Sequence, residues 1–168
     1  MHASRCVGPD SWARIRGSTV SLTMWPPPGK GRKSLRSARD DAPVLIVDAA
    51  NVIGSRPNGW WRDRAGAAQR FVADLRAAAR TGRVEPPVIV VLEGKSRAGV
   101  GEDTADGVEV VHARGEGDDT IVSVATAYPG STVVTADRAL SERVHAVDGD
   151  VRGPRWLLDL LDLIVGQD

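Results

Sequence analysis

The sequence is poor in the residues that form covalent cross-links and soft-metal sites. Cys6 is the single cysteine among 168 residues, so one chain can form neither a disulfide nor a cysteine zinc site. The three histidines, His2, His112 and His145, are scattered along the chain. A reducing, cytoplasmic setting fits this composition best, and we expect any metal site to be built from oxygen ligands.

Long apolar runs are also missing. No run approaches the roughly 18 to 20 residues that a membrane-spanning helix needs. The amino terminus lacks the basic start, apolar run and small-residue cleavage site of a signal peptide. We therefore expect no membrane partner, and a length of 168 residues with 42% hydrophobic residues suits one domain with a packed core.

The formal net charge is zero, but the charge is unevenly distributed. The first 40 residues contain eight Lys or Arg and two Asp, a net +6, which leaves a net −6 on the remainder. Residues 1–42 are rich in Ser, Gly and Arg, include the block Pro26–Gly29, and show no sustained periodicity. We predict a disordered basic tail, with Met24 as an alternative start, and a folded domain over residues 43–168. The tail either attracts a polyanion or only maintains solubility.

Apolar runs and amphipathic stripes alternate from residue 43 onward, which predicts a mostly parallel sheet of about five strands with helices on both sides. The segment 95–107 is predicted to be a surface loop. The predicted strands are 44–48, 87–92, 108–113, 132–135 and a short one near 145–147. The predicted helices are 65–80, 120–128, 137–143 and 154–165.

Each of the first four predicted strands is followed directly by acidic residues. Because the carboxyl ends of parallel strands meet at one edge of a sheet, we expect these carboxylates to converge. Carboxylates a few Å apart raise one another's pKa unless a cation compensates, and Mg²⁺ or Mn²⁺ suits oxygen ligands. Alternatively, those at helix starts only cap the helices, and the one after the second strand only ends it in solvent. The acids are Asp48, Glu93, Asp118, Asp119 and Asp137.

Two uncharged polar residues accompany the acids. Asn51 follows Asp48 by three residues and either orients a metal-bound water or substrate phosphate, or fixes its own turn. Thr135 lies two residues before Asp137, where its hydroxyl bonds either to a metal-bound water or to the local backbone.

Three short motifs resemble the NYN branch of the PIN-like nucleases over about residues 43–165. The resemblance implies a three-layer α/β/α, Rossmann-like domain that cleaves RNA at a Mg²⁺ or Mn²⁺ site. It implies that Asp48, Asp118 and Asp137 bind the metal. The motifs are Asp48-x-x-Asn51-Val-Ile-Gly, Gly117-Asp118-Asp119-Thr-Ile121 and Val133-Val-Thr135-Ala-Asp137-Arg138.

The sequence departs from the family at one position, because Ala139 replaces an acid that many relatives carry. Glu93 is the candidate for the missing ligand, and we expect one metal ion rather than two. Asp48, Asn51, Asp118 and Asp137 then form the catalytic set with Asp119, and Asp119 or Glu93 completes the outer shell or accepts the proton.

Cationic and aromatic residues follow the first strand and are the candidates for holding RNA. Adjacent Trp60 and Trp61 cannot both face the core, so one of them offers a stacking surface for an unpaired base; alternatively, it only covers a neighbour. The arginines either hold the RNA backbone or are simply exposed. The candidate substrate-binding residues are Arg56, Trp60, Trp61, Arg62, Arg64, Thr135 and Arg138.

Three other functions are alternatives to RNA cleavage. A phosphatase using Asp48 as its nucleophile would want an acid two residues later, where this chain has Ala50. A nucleotide pyrophosphohydrolase would place its acids at helical spacing. A non-catalytic RNA-binding module would keep the fold without hydrolysis. The expected partner is RNA, single-stranded or structured, and a homodimer is left open.

Overall fold

Six strands and five helices alternate through residues 43–165, the part of the chain that the computed structural model describes, with side chains through Asp162. The predicted tail, residues 1–42, lies outside these residues. The strands are β1 (Leu45–Asp48), β2 (Val88–Leu92), β3 (Thr104–Ala105), β4 (Val108–His112), β5 (Thr132–Val134) and β6 (Asp150–Arg152). The helices are α1 (Ala49–Gly54), α2 (Arg64–Arg80), α3 (Gly117–Ala127), α4 (Arg138–His145) and α5 (Pro154–Val165). Short 3₁₀ helices span Trp60–Arg62 and Gly94–Gly99.

The strands form one sheet in the order β3-β4-β2-β1-β5-β6. All neighbouring pairs are parallel except β3 and β4, which are antiparallel. The chain runs from β1 outward through β2 to β4, then crosses back through α3 to β5 on the other side of β1. The order of the strands therefore reverses between β1 and β5, and such a switch point is where open α/β sheets bind ligands.

Alternate side chains of the sheet enter two separate cores, one on each face. Leu45 and Val47 pack with α1, α2 and α5, whereas Ile46 packs with α3 and α4. Because successive strand residues point to opposite faces, a strand covered on both sides must be apolar throughout, as β1 and β2 are. The predicted three-layer α/β/α architecture is confirmed.

The number of strands differs from the prediction by one. β3 has only two residues and was included in the predicted surface loop. It pairs with β4 through a turn in which Asp106 and Gly107 have positive φ angles of 54° and 76°. Two residues are too few to show an alternating pattern, so the strand is not recognisable from sequence.

The predicted strand at 145–147 is wrong. His145 ends helix α4, whose buried Leu140 and Val144 are spaced four residues apart on one face. The sixth strand lies further on, at Asp150–Arg152, with a pattern of exposed, partly buried and exposed residues. Such an edge strand lacks the apolar run by which the inner strands are predicted.

Helix α3 begins at Gly117, three residues before its predicted start. Strand β1 also passes directly into α1, a helix that was not predicted. Across residues 43–165, none of the helices combines the length and apolar character required to cross a bilayer.

Candidate active site

Asp48 lies at the switch point, as the last residue of β1 and the N-cap of α1. It shares a strand face with Ile46, the face covered by α3 and α4. Only 8% of Asp48 is exposed. Its Oδ1 accepts a hydrogen bond of 3.0 Å from the Asn51 backbone N–H, which satisfies one of the free donors of the first helical turn.

Thr135 joins Asp48 to the end of β5 across the switch point. Its side chain donates a 3.0 Å hydrogen bond to Asp48 Oδ2 and accepts a 3.1 Å bond from the backbone N–H of Asp137. Thr135 is only 2% exposed. The hydroxyl therefore connects the carboxylate of Asp48 to the backbone at Asp137. Of the two uses predicted for Thr135, the bond to the local backbone is present, and the bond to a metal-bound water stays a prediction.

Asn51 also connects the same two strand ends. Its side-chain Oδ1 accepts a 2.9 Å hydrogen bond from the backbone N–H of Ala136. The amide therefore does more than fix its own turn, because its partner is 85 residues away. The N–H₂ group of the Asn51 side chain can act as a hydrogen-bond donor at the same time.

Asp137 is the N-cap of α4, and its Oδ1 accepts a 2.9 Å hydrogen bond from Leu140 N–H. Asp137 therefore does cap α4, and this hydrogen bond uses one of its two carboxylate oxygens. A carboxylate has about four lone-pair positions, so the same group can cap a helix and face the site.

Glu93 does not simply end β2 in solvent. Its Oε2 accepts a 2.8 Å hydrogen bond from the backbone N–H of Gly117, the first residue of α3. A Cβ at position 117 would lie 2.8 Å from that oxygen, so glycine permits the close approach. This contact explains why α3 starts earlier than predicted, and it ties the end of β2 to the helical turn that carries Asp118.

The carboxylates influence one another electrostatically. Burial raises the pKa of Asp48, and the negative charges of Asp118 and Glu93 raise it further against the hydrogen bonds from Asn51 and Thr135. Burial likewise raises the pKa of Asp118, as do the charges of Asp137 and Glu93. Residues from the ends of β1, β2 and β5 and from the start of α3 therefore share one region of negative potential.

Asp119 is exposed and forms an ion pair with an arginine of α4. Its Oδ1 accepts a 2.6 Å hydrogen bond from Arg143 of α4. Arg143 also lowers the pKa of Asp118, although burial of that carboxylate outweighs it. Sequence reasoning missed Arg143, because only the packing of α3 against α4 brings it to the acids.

Some of the candidate substrate-binding residues contact other parts of the protein, and others are exposed to solvent. Arg56 forms an ion pair with Asp162 of α5 and lines a cavity of about 180 Å³ beside α2. Arg138 is exposed, with Glu142 3.6 Å away on its own helix. Arg62 is exposed, Trp60 packs against the core, and Trp61 is 54% exposed.

The side chains at the candidate site offer the oxygen donors that a hard divalent cation prefers. The donors are carboxylate oxygens, and their mutual charge repulsion is the kind that Mg²⁺ or Mn²⁺ relieves. Among the described residues, no group of three or more His, Cys, Asp or Glu side chains is already arranged to hold a metal ion. The ligand set Asp48, Asp118, Asp137 and Glu93 stays a prediction.

A mostly parallel sheet between two helical layers is a Rossmann-like arrangement, consistent with a PIN/NYN fold. Two solved structures of Rae1 (YacP) from Bacillus subtilis are similar to the chain, each with 22% sequence identity over 73% of it. One, a point mutant, has a TM-score of 0.54 and is covered over 77% of its length. The other has a TM-score of 0.58 and is covered over 75%. No protein-family model and no curated protein matches the chain.

Proposed function

We propose that this protein is a divalent-metal-dependent ribonuclease whose active site lies at the carboxyl ends of β1, β2 and β5. The observation that carries the proposal is the group of charge-coupled acids at the switch point, with Asp48 buried at its centre. The three motifs that resemble the NYN branch of the PIN-like nucleases support a role in RNA cleavage or RNA binding, and the fold shared with Rae1 agrees with that resemblance.

Asp48, Asp118 and Asp137 would hold Mg²⁺ or Mn²⁺, with Glu93 as an additional ligand or as the support of α3. When bound, the cation would polarise a phosphate oxygen and make water more acidic. Thr135 and Asn51 hold the two strand ends in register, so the carboxylates meet substrate in fixed positions. Asp119 is the exposed carboxylate suited to accepting a proton once RNA displaces Arg143.

An Asp48→Asn substitution tests the proposal because it removes the charge and keeps the shape. The amide oxygen can still accept the hydrogen bond from Asn51 N–H, whereas the amide N–H₂ faces Thr135, whose hydroxyl must then accept instead of donate. We expect metal-dependent cleavage to fall by more than about 100-fold, beyond the 10–100-fold typical of residues outside the metal shell. RNA affinity measured in EDTA should stay within a few-fold of wild type.

The assay compares single-stranded RNA, duplex RNA, DNA and nucleoside triphosphates, each with Mg²⁺, Mn²⁺ or EDTA. Asp159→Asn is the matched control, since Asp159 is an exposed acid on α5 with a weak ion pair to Arg155 at 4.0 Å. Undiminished cleavage by Asp48→Asn would refute the proposed metal site. Triphosphate turnover without RNA cleavage would instead favour the pyrophosphohydrolase or phosphatase alternative.

A non-catalytic RNA-binding module is the second candidate. It is favoured by the absence, within the described residues, of a ready-made group of three metal-binding side chains. It predicts RNA binding in EDTA and no cleavage with any divalent cation. The same assay separates the two candidates, because binding and cleavage are measured independently.

A further inference from the structure

Trp61 presents an aromatic surface to solvent that its surroundings hold in place. It is 54% exposed and lies in the 3₁₀ helix Trp60–Arg62. Its ring meets that of Trp60 edge to face, with 6.3 Å between the ring centroids and 84° between the planes. Such a T-shaped pair is a favourable aromatic geometry, so Trp61 is supported rather than freely mobile.

Trp60 provides that support because it is fixed from two sides. It packs against the core shared by α1, α2 and α5, and the Arg64 guanidinium carbon lies 5.3 Å from its ring centroid. This distance is within the range of a cation–π interaction. The adjacent tryptophans therefore divide their roles: Trp60 packs inward, and Trp61 remains accessible.

The ring of Trp60, which supports the exposed ring, lies about one short helix away from Asp48. Helix α1 starts directly after Asp48 and ends at Gly54, where a Cβ would lie 3.5 Å from Trp60 Cζ2. Six residues at 1.5 Å each make α1 about 9 Å long. A few nucleotides of a single strand span such a distance, since stacked bases are about 3.4 Å apart.

The charges beside Trp61 also favour a polyanion. Arg62 and Arg64 are exposed on either side of Asp63. The carboxylate of Asp63 is occupied, because it accepts a 2.8 Å hydrogen bond from Gly66 N–H at the start of α2 and lies 3.8 Å from Arg70. Arg62 is thus available for a phosphate next to the ring, and Arg64 keeps N–H donors for a second phosphate while it lies over Trp60.

We propose that Trp61 stacks on an unpaired base of an RNA strand whose scissile phosphate lies at the acids. The inference rests on the proposed function and adds the substrate class: single-stranded RNA or an unpaired loop. In a duplex the bases already stack on one another, whereas an unpaired base leaves its face free for an aromatic side chain. The stacked base would hold the strand in register with Asp48.

The test measures affinity in EDTA for three ligands with equal numbers of phosphates. They are a single-stranded RNA of about 12 nucleotides, a duplex, and a strand without bases. Trp61→Ala should weaken binding of the single strand by about 5- to 150-fold, the range expected for one stacked base. Binding of the duplex and of the strand without bases should change less than about two-fold.

Two further variants make the result specific. Trp61→Phe keeps an aromatic face and should bind the single strand within a few-fold of wild type. Trp156→Ala removes the other exposed tryptophan within the described residues, which is 40% exposed on α5 and lines a cavity with Leu45 and Thr132 at the amino ends of their strands. This variant should bind all three ligands as wild type does.

Each failure has a distinct meaning. Unchanged binding of the single strand by Trp61→Ala, or an equal loss for the strand without bases, would overturn stacking while leaving the ribonuclease proposal intact. If wild type neither binds nor cleaves any RNA, the proposed function fails and the stacking role fails with it.

Discussion

Removing the Glu93 carboxylate is expected to loosen the start of helix α3, which carries Asp118. The perturbation is the loss of one 2.8 Å hydrogen bond from Gly117 N–H. Hydrogen bonds to charged groups contribute about 1.5–3 kcal/mol, and a carboxylate at a helix N-terminus adds about 0.3–1 kcal/mol. Because Glu93 is partly exposed, solvent screening favours the lower end. We expect Glu93→Ala to lower the free energy of unfolding by about 1.5–2 kcal/mol.

A second substitution on the helix side of the same contact gives a thermodynamic cycle. Gly117→Ala places a Cβ 2.8 Å from Glu93 Oε2, so the carboxylate must shift, which the end of a flexible side chain can do at little cost. The loss should therefore not exceed that of Glu93→Ala. In the Glu93→Ala background the same change should cost nothing, because no contact remains and alanine favours a helix over glycine by up to about 1 kcal/mol.

Urea unfolding followed by circular dichroism in EDTA measures all four proteins. If the losses of the two single variants simply add in the double variant, the Glu93–Gly117 contact does not contribute to the free energy of unfolding. Glu93→Gln keeps an acceptor oxygen and should cost less than half as much as Glu93→Ala. Mg²⁺ titration then distinguishes the two roles of Glu93: a ligand would lose affinity equally in both variants, whereas a support of α3 would lose it mainly in Glu93→Ala.

Two further predictions concern the switch point. Thr135→Val should lower the free energy of unfolding by about 1–3 kcal/mol, because it leaves Asp48 Oδ2 and Asp137 N–H without their shared hydroxyl. Thr135→Ser keeps a hydroxyl and should recover most of this loss in urea unfolding. Equal losses in the two variants would contradict the hydrogen-bonding role. The folded-state pKa values of Asp48 and Asp118 are raised above 3.8, so the folded state binds more protons than the unfolded state does. The free energy of unfolding in EDTA should therefore fall as the pH rises from about 4 through those raised pKa values. Asp48→Asn should make this pH dependence shallower, and an unchanged slope would argue against the shift.

Much of the inner sheet is predictable because burial on both faces requires apolar residues at consecutive positions. That constraint marks β1 and β2 in the sequence, valine-rich runs mark β4 and β5, and the acids that end or follow these strands mark the carboxyl edge. Local chemistry is equally informative at Gly82, which follows the end of α2 with a φ of 70°, a conformation that glycine adopts readily after a helix. By contrast, β3 and β6 lie at the edges of the sheet and carry too few apolar residues to be recognised.

The composition of the candidate site was therefore determined by the sequence: strand-end acids, and an amide and a hydroxyl close to them. Only the tertiary structure decided their partners. It assigned Glu93 to the start of α3, Asp119 to Arg143, and Asn51 to the β5–α4 connection. It also decided which tryptophan packs and which is exposed. These contacts join residues distant in sequence or depend on packing between layers, so no local pattern of apolar or polar residues encodes them.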